Sequence, residues 1–186
     1  IGNKIKSIKL ENIMKSHKII VESTEEWWYD DYCLLYNDRS YKDYDVSIRI
    51  TLDKEIMYNN FINTEFVVSK LRDIVPCIMY FENNIHIFFE RDGTINDYYY
   101  LNDIILPDLI CTHICGIDGI NDFFYQKDDN NNWYITCDGS NMNELFKLDF
   151  IDIYNSSSNN MWEIYNIFGI EAARQFLIDE FMYVVS

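Results

Sequence analysis

Val46, Ile48, Ile50 and Leu52 alternate with Ser47, Arg49 and Thr51, the period of two that predicts a half-buried strand. Beyond it, Phe66, Val67, Lys70 and Leu71 fall at helical spacing, with Thr64 as the expected cap and Pro76 closing the segment. Residues 77–81 and 85–89 are apolar and aromatic runs split by Glu82, Asn83 and Asn84, which predicts a hairpin with a tight turn. From Asp97 the spacing lengthens: Tyr100, Leu101, Ile104 and Ile105 predict a helix that Pro107 breaks or kinks before an apolar stretch reaching Ile114. Residues 120–126 and 133–137 predict a second strand pair around the polar loop 127–132, closed by a turn at Asp138-Gly139. A short helix is expected over 143–148. After the polar run Ser156-Ser157-Ser158-Asn159-Asn160, Met161, Trp162, Ile164, Tyr165, Ile167 and Phe168 predict an apolar helix stopped by Gly169, with a second helix from Ile170. Periods that change this often describe an α+β chain: mixed short antiparallel strands and hairpins with packed helices, ending in a helix-Gly-helix segment.

Composition permits a real core, because 48% of the 186 residues are hydrophobic and 17% aromatic, enough apolar surface to offset chain entropy despite the many Asn and Asp. No apolar run approaches the roughly 20 residues that a membrane-spanning helix needs. Residues 1–10 alternate lysine with isoleucine and lack the continuous apolar stretch of a signal peptide. Five cysteines (Cys33, Cys77, Cys111, Cys115 and Cys137) are an odd, scattered set that suits reduced thiols better than a disulfide framework.

Charge is unevenly distributed. Residues 1–20 hold Lys4, Lys6, Lys9, Lys15 and Lys18 against Glu11, a balance of +4, so residues 21–186 carry −20 of the net −16. A duplex-binding surface works by releasing counterions from phosphates, which leaves Lys4, Lys6 and Lys9 as the nucleic-acid-facing candidates. The spacing fits a solvated face of an edge strand or helix equally well.

Chemistry-bearing motifs are sparse. The six glycines are not spaced as in a phosphate loop or dinucleotide fingerprint. Cys111-Thr112-His113-Ile114-Cys115 groups metal-ligand types, to which His17 or His86 would have to be added; lacking a Cys-x2-Cys knuckle, it reads as two buried thiols, and no metal ligand is assigned. Asp30-Asp31, Asp128-Asp129 and Asp179-Glu180 read as solvated surface. The four tryptophans and fifteen tyrosines lack interleaved Arg and Lys, which favours core and interface anchors over base-stacking platforms.

The string from Ser158 to Arg174, ending Phe168-Gly169-Ile170-Glu171-Ala172-Ala173-Arg174, closely resembles a stretch of the largest subunit of multisubunit DNA-dependent RNA polymerases. Gly169 supplies a left-handed turn between two helices, Glu171 complements the new N-terminus, and Arg174 lies one turn on. Three further segments resemble the same family in the same order: Ile48-Arg49-Ile50-Thr51-Leu52-Asp53-Lys54-Glu55-Ile56-Met57, Gly116-Ile117-Asp118-Gly119-Ile120 and Ile135-Thr136-Cys137-Asp138-Gly139.

The resemblance implies a position after the trigger loop. Residues 1–45 would be a strand-rich part of the cleft, 46–150 a jaw-like α+β region, and 151–186 the helical start of the second cleft part. It implies docking to other polymerase subunits, including the second-largest and small jaw-associated ones, contact with downstream DNA, and no membrane. The family's magnesium-binding Asp-Phe-Asp-Gly-Asp signature does not occur in these residues, so no catalytic residue and no cofactor are expected here, with Mg held elsewhere in the intact polymerase. The favoured Tyr, Ile, Asn, Lys and Asp suit AT-rich codons and suggest a poxvirus-like large DNA virus, with a cytoplasmic virus factory or virion as the location, or a protist nuclear enzyme. The competing expectation is a stand-alone acidic α+β interaction module or DNA mimic.

Overall fold

The computed structural model of the chain describes residues 2–21, 26–36, 46–75, 77–89, 97–128 and 130–185. In chain order the elements begin with α1 (Gly2–Ile5), β1 (Ile8–Lys9), α2 (Leu10–Ile13), β2 (Met14–Val21) and α3 (Tyr29–Tyr36). Next come β3 (Val46–Leu52), α4 (Lys54–Asn59), α5 (Thr64–Leu71), β4 (Ile78–Phe81) and β5 (Asn84–Phe89). A helix then starts as α6 (Asp97–Tyr100), widens to a π-turn over Leu101–Ile105 and continues as α7 (Leu106–Ile110), followed by β6 (His113–Cys115). The rest is β7 (Ile120–Lys127), β8 (Trp133–Gly139), α8 (Met142–Leu145), a 3-10 turn at Ile153–Asn155, α9 (Met161–Phe168) and α10 (Ile170–Val185). The α+β expectation holds, with antiparallel strands throughout the larger sheet and the hairpin. No helix of the described residues is long and apolar enough to cross a membrane.

Two compact units divide the chain: Ile8–Ile114, and Ile1–Ser7 with Cys115–Ser186. The first is built on a four-stranded sheet in the order β2-β3-β5-β4. Ile48 faces Ile87 and Ile50 faces Ile85 across β3 and β5, and all four are fully buried, each contributing roughly 1.5–3 kcal/mol of burial. The other face is also covered: Ser47 pairs with Phe88 and Arg49 with His86, beneath a cluster of Ile20, Trp28, Tyr29, Met79 and Phe88. The strand expected to be half-buried is therefore nearly wholly buried, because β3 is central and both of its faces are packed. That cover includes Trp28 and, on α3, Tyr29, in a helix that the local pattern does not announce.

Local details depart from expectation in instructive ways. The cap of α5 is Asn63, whose side chain accepts from the Phe66 N–H at 2.8 Å; Thr64 instead donates its hydroxyl to the Glu82 carbonyl at 2.7 Å. Pro107 does not end its helix. The π-turn before it, in which the Leu106 N–H reaches the Leu101 carbonyl, places Pro107 near the start of a fresh α-turn where a missing N–H costs little.

The second unit centres on Ile5, Ile117 and Ile120, with Ile135, Cys137, Leu145 and Leu148 packed against them. Residues 5–7 join this core through backbone bonds, Ser7 N–H to Ile120 O at 2.8 Å and Ile117 N–H to Ile5 O at 3.1 Å. The hairpin runs further than expected: Asp138 and Gly139 still pair, with Asp122 and Ile120, and the chain turns only after them. Gly139 (φ +99°) must be glycine, since a Cβ would lie 2.0 Å from the Gly119 carbonyl oxygen.

Candidate functional site

The segment singled out by its sequence forms a hinged helix pair. Asn160 caps α9 by accepting from the Trp162 N–H at 3.1 Å. Gly169 (φ +88°, ψ −175°) donates its N–H to the Tyr165 carbonyl at 2.9 Å and accepts from the Ala173 N–H at 3.2 Å, so one residue ends α9 and starts α10. In α10, Ala173 is buried and Ala172 half-buried, while Ile170 is exposed. Glu171 and Arg174 approach to 3.4 Å with both side chains mostly in water, a pair that contributes little. The two helices pack on each other yet leave much of their apolar surface open: Trp162, Phe168, Leu177, Phe181, Met182 and Val185 are all exposed.

What fastens this pair to its unit is Glu163, which the sequence reading did not single out. Its carboxylate accepts from the Ser140 hydroxyl, the Met142 N–H and the Ser158 hydroxyl, the last at 2.9 Å. Burial pushes this carboxyl up, but the bonds from Ser140, Met142 and Ser158 outweigh it and hold the group below the usual carboxylate range. Asn141 extends the lock, donating to the Asp118 carbonyl at 2.8 Å and accepting from the Glu144 N–H at 3.3 Å. The available signal was Glu163 at the third helical position after the cap, where a capping-box acid is found. Here it serves a neighbouring turn rather than its own N-cap.

The lysine candidates have different fates. Lys4 is exposed on α1. Lys6 bonds Asp122 at 3.2 Å; the Phe123 N–H first, and then Lys6, hold that carboxyl below its usual value. Lys9, half-buried on β1, belongs to the other compact unit from Lys4 and Lys6.

The remaining candidates are dispersed. Cys111 is exposed after α7, Cys115 is half-buried with its thiol pushed up by burial, and His86 lies buried in the sheet. No group of three or more His, Cys, Asp or Glu side chains fit to hold a metal occurs among the described residues. Asp30, Asp31, Asp128, Asp179 and Glu180 are exposed, and Asp129 lies outside the described residues.

Exposed apolar surface of this extent on a helix pair is the kind that interaction surfaces carry. The family model of RNA polymerase Rpb1, domain 5, matches residues 3–186, and the chain belongs to that family. It is largest-subunit sequence of a DNA-directed RNA polymerase. The DNA-directed RNA polymerase subunit Rpo1C of Methanocaldococcus jannaschii is 35% identical over 75 residues, which are 40% of this chain and 9% of that protein. The matched stretch thus spans a small part of the relative's length.

Proposed function

We propose that this segment contributes to the jaw and cleft that hold downstream duplex in a DNA-directed RNA polymerase, and docks other polymerase subunits, the second-largest and small jaw-associated ones among them. The observation that carries the reading is the α9-Gly169-α10 pair, which bears the family motif and keeps Trp162, Phe181 and Val185 in solvent although Glu163 anchors it firmly. Side chains of this kind bind by filling pockets on a partner.

In the assembled enzyme the reaction is template-directed nucleotidyl transfer, with catalytic Mg held by other residues. On this reading the contribution of the segment itself is positional. DNA meets the segment at its lysine-rich beginning, because the −20 carried by residues 21–186 repels phosphate. Lys4 and Lys9 are the phosphate contacts; Lys6 is already engaged by Asp122.

The test is the salt dependence of downstream-duplex binding by the purified polymerase carrying Lys4→Ala and Lys9→Ala. Each lost phosphate contact lowers the slope of log K against log salt by about 1. An unchanged slope removes these lysines from the DNA path.

A further inference from the structure

Helix α4 ends in a Schellman arrangement: the Phe61 N–H donates to the Tyr58 carbonyl at 3.1 Å and the Ile62 N–H to the Met57 carbonyl at 2.9 Å. Met57 and Ile62, the two apolar residues such a motif brings together, are both buried. The residue between them must be left-handed, a place that glycine normally fills, yet here it is Phe61 with φ +57°. Its ring is nonetheless 89% exposed, and Tyr58 one turn earlier is 81% exposed.

A second left-handed non-glycine residue, Glu82 (φ +51°), occupies the β4–β5 turn beside it. That turn is held to the same corner twice, by the Thr64 hydroxyl on the Glu82 carbonyl at 2.7 Å and by Lys54 near the Glu82 carboxylate at 3.7 Å. Phe81, at the turn, is also exposed. Strained backbone that lifts aromatic rings into water from a braced corner has the form of a binding feature, since the fold alone would be better served by glycine.

We infer that the α4–α5 corner is a docking knob, with Phe61 as the inserted ring, for a protein partner that offers an apolar pocket rimmed by Lys or Arg. The charge of the segments that form this corner selects that chemistry: Asp53, Glu55, Glu65 and Glu82 stand against Lys54 and against Lys70, which lies over the Phe66 ring, a balance of −2 that disfavours nucleic acid and favours a basic rim. This surface belongs to the Ile8–Ile114 unit, whereas the α9-Gly169-α10 helix pair belongs to the other.

The experiment places a photo-crosslinking phenylalanine analogue at position 61 of the chain within the purified polymerase and maps the joined peptide by mass spectrometry. The expected product is a protein adduct at an apolar pocket flanked by Lys or Arg. An adduct with DNA, an adduct at an acidic or flat surface, or no adduct in a chain that still co-purifies with polymerase subunits overturns the knob while leaving the polymerase assignment standing. Phe61→Gly supplies the second arm. It relieves the left-handed strain, so the melting temperature of the chain stays the same or rises, while retention of the crosslinked partner falls by about tenfold or more. A lowered melting temperature would make Phe61 a structural residue and contradict the inference.

Discussion

His86 shows how one register position becomes a pH-sensitive element. It faces Arg49 across the sheet, packs against the tilted Trp28 ring with centroids 4.1 Å apart and is 2% exposed. Burial, and then the Arg49 charge, lower its pKa from 6.5 to about 4. The ring is neutral in the fold and protonates more readily in the unfolded chain. Its stability contribution is therefore complete above pH 6.5, is lost as pH falls toward 4, and amounts to about 3 kcal/mol at most. Urea unfolding at a series of pH values should show this slope, and His86→Phe should flatten it. Glu163 has the same sign in a lower window: its depressed carboxyl contributes above the ordinary glutamate range and loses that contribution as pH falls below it. Glu163→Ala leaves the Met142 N–H and two hydroxyls without their acceptor, and should cost about 1–3 kcal/mol in urea unfolding. Neither role was legible locally. His86 stood out only as a metal-ligand type, since its cover comes from Trp28, distant in sequence; Glu163 was one acid among 31.

Among the elements, α9 and the start of α10 were legible, because the apolar spacing after the polar run 156–160 and Gly169 mark those boundaries. Both hairpins were legible too, from apolar and aromatic runs on either side of polar turns. Where the reading slipped, a non-local bond decided: Thr64 was drawn from capping to the Glu82 carbonyl, and the hairpin kept pairing through Asp138 and Gly139 because Gly139 closes on Gly119. These positions rank two substitutions. Gly169→Ala meets no atom within 4 Å, so its cost is backbone alone, about 1–3 kcal/mol. Gly139→Ala adds to a comparable strain a Cβ 2.0 Å from backbone oxygen, and should be clearly the more destabilising of the two by urea titration.

For the whole molecule, local patterns indicated the class and the family while missing which distant segments share a core. Residues 1–7 join residues 115–186 through the bonds of Ile5 and Ser7, which no periodicity encodes. The family was readable because four short strings occur in order, and the structure gives them physical reasons: β3 with the Asp53 cap of α4, the left-handed Gly116 and Gly119, Gly139 at the hairpin's end, and Gly169 between the helices. The exposed apolar residues of α9 and α10 are the surface that the proposed docking would cover. The decisive measurement is affinity purification of the tagged chain from its native cell or infected host, with the accompanying bands read by mass spectrometry. Recovery of the second-largest polymerase subunit and its small partners is the predicted result; a clean monomer, or an unrelated basic partner held by the acidic surface, would contradict the account.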